Sequence, residues 1–211
     1  AEIAMKCHEL TKDKLKNVLT CHMHIVDSYL CNLLRSQIRS GDTSKQKIKF
    51  RWEFFNIYQI AGYCIQKYCP LFPDSNDSAP DTNVLIIGVG RMGKTLISRS
   101  VRRWRDLYGT SGKKIIISVI DRDAQTQIRL LTLQYPSITK YCSFKCVNLD
   151  LTSPDFIEGK YLNELQAEVK ISKIYLCIDD SSIALSTALT LHRQIGNKDV
   201  CIIVRTIDIT G

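Results

Sequence analysis

Residues 84–95 read VLIIGVGRMGKT: an apolar run, then a glycine-rich turn that satisfies two phosphate-binding patterns at once. Gly88, Gly90 and Gly93 spell G-x-G-x-x-G. In that dinucleotide turn the first glycine makes the tight bend, the second admits a pyrophosphate to the backbone, and the third lets helix and strand pack closely. Gly88, Gly93, Lys94 and Thr95 also spell G-x-x-x-x-G-K-[ST], the P-loop, whose lysine reaches the outer phosphates of a triphosphate and whose threonine holds magnesium. Both readings place a helix N terminus, with unpaired amides and a positive dipole end, against phosphate.

Outward from this turn, short β-rich runs alternate with helical patterns. VLIIG precedes a helix over 91–108, IIISVID one over 124–133, FKCVNLD one over 154–168, and KIYLCID one over 182–195; VCIIVR closes the series. Continuous apolar strands separated by amphipathic helices predict an α/β fold, a Rossmann-type doubly wound parallel sheet buried on both faces. This domain is expected over 81–211. Before it, PLFPDSNDSAPD (residues 70–81) gathers turn-forming residues and marks a boundary. Residues 1–80 are expected to form a small helical N-terminal region. Leu15, Val18, Leu19, Val26, Leu30, Leu33, Leu34 and Ile38 recur at three- and four-residue steps, with Thr11 as a cap and Ser40-Gly41 as a stop. Trp52, Phe55, Ile60, Cys64 and Tyr68 suggest a second helix ended by Pro70. The opening AEIAMKC reads as an internal piece of a longer chain.

The 211 residues are 45% hydrophobic, enough for a packed core, and 29 basic against 21 acidic residues give a formal charge of +8. The densest basic cluster, Lys94, Arg99, Arg102, Arg103 and Arg105, reads as the solvated face of a helix, and no nucleic-acid partner is expected. Nine cysteines in apolar stretches, among them Cys64, Cys142, Cys146, Cys177 and Cys201, read as buried thiols of a reducing compartment. Cys7, His8, Cys21, His22 and His24 lack paired metal-ligand spacing, so no metal is expected. With no apolar run of about 18 residues and no signal peptide, the expected location is the cytoplasm, including the cytoplasmic face of a membrane.

Each reading of the turn needs an acid elsewhere. The dinucleotide turn needs one at the end of the second strand to accept from the adenosine ribose, and IIISVID supplies Asp121; Arg122 follows it and keeps a 2′-phosphate in play. The P-loop needs an acid to hold its metal, and KIYLCIDD offers Asp179 or Asp180. The pattern favours the dinucleotide turn and leaves the P-loop as its rival.

Residues 84–206 resemble the TrkA-N / RCK N-terminal (regulator of potassium conductance) domain family. The matching features are VLIIGVGRMGKTL, VIDRD, the Asp that closes VNLD, CIDDSSIALSTALTLHR and IIVRT. The resemblance implies that Gly88, Gly90, Arg91, Met92 and Gly93 line the phosphates, that Asp121 and Arg122 meet the adenosine ribose, and that Asp150 lies near the adenine. It places Ile178, Asp179 and Asp180 at the nicotinamide-side mouth. It also implies a homodimer serving a membrane channel or transporter. The sequence departs from the family at NLD, where Gly-Asp is common, and at Lys94 and Thr95, where small or apolar residues are usual.

No group positioned to move a substrate proton is evident. Tyr141 and Lys145 form Y-x-x-x-K, but across the start of a strand rather than on a helix, and His192 falls on the polar side of the last helix. The expected function is a non-catalytic regulatory module that binds NAD(H), with NADP(H), ATP and AMP as further candidates. A P-loop ATPase and an NAD(P)-dependent oxidoreductase fragment are the alternatives.

Overall fold

The computed structural model describes residue 6 and residues 19–41, 50–72, 78–196 and 200–206. The cap expected at Thr11 and the polar stretch 42–47 lie outside the described residues. The chain forms two compact units, residues 1–63 and 64–211.

In the first unit, β1 (Leu19–His24) leads into α1 (Ser28–Gly41), and β2 (Phe50–Phe55) leads into α2 (Ile57–Tyr68), whose residues 64–68 are counted with the second unit. The two strands pair in parallel, with Leu19 opposite Phe50 and His24 opposite Phe55. Both expected helices therefore exist, but each is shorter than its apolar period suggests, and the residues before each are strand. This corrects the helical reading at residues 19–24 and 50–55, while the expected helix positions Leu15 and Val18 lie outside the described residues. The breaks are set by two capping residues. Asp27 Oδ1 accepts from the Leu30 amide at 2.7 Å, and Asn56 Oδ1 accepts from the Gln59 amide at 2.9 Å. Asn56 is fully buried, and its Nδ2 donates to the Ile25 and Val26 carbonyls, tying the end of β1 to the start of α2. FRWEFF itself suits a half-buried pleated surface better than a helix.

The second unit is a five-stranded, all-parallel sheet: β3 (Asn83–Ile87), β4 (Ile115–Asp121), β5 (Cys142–Asn148), β6 (Ile171–Leu176) and β7 (Cys201–Val204), in spatial order β5-β4-β3-β6-β7. Its helices are α3 (Arg91–Tyr108), α4 (Ala124–Gln134), the short α5 (Pro154–Glu158) and α6 (Tyr161–Leu165), and α7 (Ser181–Ile195). This is the Rossmann-like doubly wound arrangement. The chain winds outward from β3 in one direction and from β6 in the other, leaving a crevice at their carboxyl ends. One face of the sheet packs Leu85, Ile87, Ile120, Ile174 and Leu176 against Phe156, Leu162, Leu165 and Leu191. The other carries Ile86 toward α3. On α3, Ile97, Val101 and Trp104 are buried while Arg102, Arg103 and Arg105 are exposed, so these three basic residues form a solvated helix face, whereas Lys94 and Arg99 of the same cluster are half-buried.

Instead of the single helix expected over 154–168, α5 stops at Gly159, which takes a left-handed φ of +73°. The chain beyond is fixed by Asn83, fully buried at the start of β3. Its Nδ2 donates to the carbonyls of Leu165 and Val169 at 2.8 and 2.9 Å, and its Oδ1 accepts from Ser118 Oγ at 2.8 Å. All three bonds are buried or nearly so, and losing the amide strands two carbonyls and a hydroxyl. We expect Asn83→Ala to lower the unfolding free energy by about 2 kcal/mol in denaturant titrations.

The thiols divide more finely than expected. Cys142 and Cys177 are buried and Cys146 is half-buried, whereas Cys64 and Cys201 are exposed, contrary to their reading as core residues. Both occupy elements whose outer side faces solvent. Burial pushes the Cys142 and Cys177 thiols up to about 12. Because these folded-state values lie above the ordinary 9.0, the stability linked to them is intact below that value and is lost as pH rises from there toward 12. Iodoacetamide at neutral pH is expected to alkylate Cys64 and Cys201 in the native protein and to spare Cys142 and Cys177 until it unfolds, as read by peptide mass spectrometry.

Candidate functional site

The crevice is built on one steric constraint. Gly88 follows β3 with φ +89°, and a Cβ there would lie 2.9 Å from the Cys177 carbonyl oxygen at the end of β6. Gly93, in the first turn of α3, is tighter still: a Cβ would stand 2.1 Å from the Gly88 carbonyl oxygen, which no real contact permits. Gly90 differs from both. Its φ is −71°, open to any residue, and nothing lies within 4 Å of where a Cβ would be. The fold requires glycine at 88 and 93. At 90 it leaves an exposed, bare stretch of backbone facing solvent.

Helix α3 starts from this bare stretch. Gly90 is its N-cap residue and offers no side-chain acceptor, and the first turn contains no acid. By contrast, Ser153 caps α5 and Asp180 caps α7 through their side chains. The leading amides of α3 are thus left for an acceptor from outside the chain, where the helix dipole favours an anion. Arg91 is exposed beside them. Met92 contributes only backbone here, because its side chain is buried.

Asp121 ends β4 and joins the turn directly. Its Oδ2 accepts from the Val89 amide at 2.7 Å and its Oδ1 from the Asp123 amide at 3.1 Å, so one carboxylate clips the β3–α3 turn to the β4–α4 turn. Each oxygen keeps a lone pair, and the group is only half-buried, leaving acceptor capacity toward the crevice. Arg122, exposed, turns instead to the end of β5, where its Nε lies 3.1 Å from Asp150 Oδ2. Asp150 Oδ1 accepts from the Thr152 amide at 2.8 Å and hydroxyl at 2.7 Å. The bonds from the Thr152 amide and hydroxyl hold the Asp150 carboxyl below the usual range against an opposing desolvation, with Arg122 adding a lesser pull in the same direction.

Across the crevice, Ile178 is half-buried just past β6, and the two acids after it are committed. Asp179 pairs with Arg205 at the end of β7, and Asp180 Oδ1 accepts from the Ile183 amide at 2.9 Å as the cap of α7. The sequence-predicted residues therefore gather along the carboxyl edge of the sheet, with the turn from Gly88 to Gly90 joined to Asp121 through the Val89 amide and with Asp179 and Asp180 engaged with protein partners. Sequence reasoning missed Val89, Thr152 and Arg205. Thr152 was legible as the third residue of a D-x-T turn. Arg205 left no local signal, because its meeting with Asp179 follows from the parallel register that sets Leu176 opposite Val204.

The P-loop residues sit differently. Lys94 donates its amide to the Gly90 carbonyl at 3.0 Å, so residues 91–94 are already helix rather than an open loop. Thr95 is buried, and its hydroxyl donates to the Arg91 carbonyl at 2.9 Å, directing it into the helix. Elsewhere, Tyr141 and Lys145 lie at and within β5, Lys145 pairs with Glu168, and His192 is exposed. His22 pairs with Glu53, and among the described residues no three ligating side chains converge on a metal position.

Two substitutions separate the glycines. Alanine favours a helix by about 1 kcal/mol over glycine, yet at 93 the backbone clash outweighs that gain, and Gly93→Ala is expected to destabilise by about 3 kcal/mol or more. Gly90→Ala is expected to change stability by less than about 1 kcal/mol. Thermal unfolding of both variants beside the parent checks the contrast.

No protein-family model matches the chain, and no curated protein matches it. Among the described residues no helix is long and apolar enough to cross a membrane.

Proposed function

We propose that this chain binds an adenine dinucleotide, NAD(H), at the carboxyl ends of β3, β4 and β6, and that binding serves regulation rather than catalysis. The observation that carries the reading is the combination at the first turn of α3. An uncapped helix N terminus and a glycine that the fold does not require stand next to a strand-end carboxylate with acceptor capacity to spare. A diphosphate fits the first two, and a ribose diol fits the third.

The same features disfavour a triphosphate with metal. The hydroxyl that would hold magnesium is turned into its own helix, and the acids that would complete the metal site are engaged by Arg205 and by the α7 amides. Among the described residues the crevice brings together no nucleophile and base pair beside the expected nicotinamide end, so catalysis lacks support as well. The resemblance to the TrkA-N / RCK family supports a regulatory setting at the cytoplasmic side of a potassium channel or transporter, with a homodimer as the working assembly. Regulation of that kind requires the nucleotide to bind two arrangements of the assembly with different affinity.

Isothermal titration with NADH, NADPH, ATP and AMP, each with and without magnesium, tests the assignment. NADH is expected to bind without magnesium. Gly90→Val, which fills the bare stretch of backbone, is expected to weaken that binding by about a hundredfold, or about 2.7 kcal/mol. Magnesium-dependent ATP binding that disappears in Lys94→Ala would overturn the proposal in favour of a P-loop site.

A further inference from the structure

The neighbouring residues Asp121 and Arg122 pose a choice that sequence alone leaves open. A strand-end acid suits the free 2′-hydroxyl of NAD, whereas an arginine in this neighbourhood accommodates the 2′-phosphate of NADP. Both residue types are present, one after the other. Their side chains part company: Asp121 is drawn toward the β3 turn by the Val89 amide, and Arg122 is drawn to the end of β5 by Asp150.

We propose that Asp150 is a specificity-determining residue of the nucleotide crevice: by holding the Arg122 guanidinium at the end of β5, it withdraws that cation from the ribose 2′ position and biases the site toward NAD(H) over NADP(H). This inference rests on the dinucleotide reading above. The carboxylate is well placed for the task because its two oxygens divide the work. Oδ1 is occupied by the amide and hydroxyl of Thr152, which fix the carboxylate on its own turn, and Oδ2 faces Arg122 at 3.1 Å. Asp150 is therefore an anchored anion, and Arg122, with 77% of its side chain exposed, is the solvent-facing partner. A 2′-phosphate carries about −1.5 to −2 charges at neutral pH and three acceptor oxygens, so it competes for the same guanidinium. With Asp150 present, that competition must first break an existing pair. Asp150 also repels the phosphate, and only the behaviour of Arg122 separates the two effects.

The test is a double-mutant cycle on the 211-residue chain, with NADH and NADPH affinities measured by titration calorimetry. Asp150→Asn keeps an Oδ1 acceptor for the Thr152 amide, so the turn is retained, while the ion pair is removed. Exposed pairs of this type are worth up to about fivefold in an equilibrium constant. The NADPH-to-NADH affinity ratio is therefore expected to rise by about that factor in Asp150→Asn. In the Arg122→Ala background the same substitution is expected to raise the ratio by clearly less, because only the loss of direct repulsion remains and no guanidinium is left to be released. Coupling of this kind is what the cycle isolates. NADH binding in every variant with an unchanged ratio would overturn the role of Asp150 and leave the dinucleotide reading standing. A rise of equal size with and without Arg122 would also overturn it, since simple removal of negative charge would then suffice. Failure of the parent chain to bind either dinucleotide would bring down both.

Discussion

The approach of α3 to the end of β3 is the constraint on which the candidate site depends. With 2.1 Å between the Gly88 carbonyl oxygen and the place where a Cβ of residue 93 would stand, the helix is seated directly on the strand end. That seating compresses the connection to Gly88, Val89 and Gly90. It also buries the Val89 side chain and points the leading amides of α3 over the carboxyl edge of the sheet. A longer connection would let residues 89–92 wrap as an open loop and present Lys94 and Thr95. The tight one makes residues 91–95 helix from the outset and commits the Thr95 hydroxyl to the helix backbone.

The strand-end acids then take separate roles that their proximity alone would not assign. Asp121 joins two turns through the Val89 and Asp123 amides; Asp150 is fixed by Thr152 and holds Arg122; Asp179 meets Arg205; Asp180 caps α7. Each is compensated by backbone amides, by an arginine, or by both, which is how several carboxylates tolerate one another along one edge of a sheet. The α3 N terminus, free of acids in its first turn, remains the place where an external anion is favoured.

Much of this was legible in the sequence. The apolar runs of β3, β4 and β6 are buried because a parallel sheet covered on both faces has no polar side to display, the edge strands β5 and β7 are mostly half-buried, and α3 spans the residues that its apolar period predicts. The N-terminal unit was harder. LTCHMH and FRWEFF carry apolar residues that fit a helical period as well as a pleat, and only Asp27 and Asn56, as caps of the following helices, mark where the period changes. Gly159 similarly hid the division between α5 and α6 within an otherwise continuous pattern. In the candidate site, the glycines and Asp121 were legible because their roles are local to a motif. Of the partners of Asp150 and Asp179, Thr152 alone left a local signal, as D-x-T; Arg122 and Arg205 reach their acids through strand register, which no local pattern prints.

The most direct measurement of the central claim is the response of backbone amides in an isotope-labelled sample to added ligand. If a diphosphate rests on the uncapped start of α3, NADH without magnesium will shift the amide resonances of Gly90, Arg91, Met92 and Gly93 together with that of Val89, which reports on Asp121. Thr95 and residues further along α3 will move little. Silence at residues 90–93 with NADH, or shifts centred on Lys94 and Thr95 that require ATP and magnesium, would contradict the account.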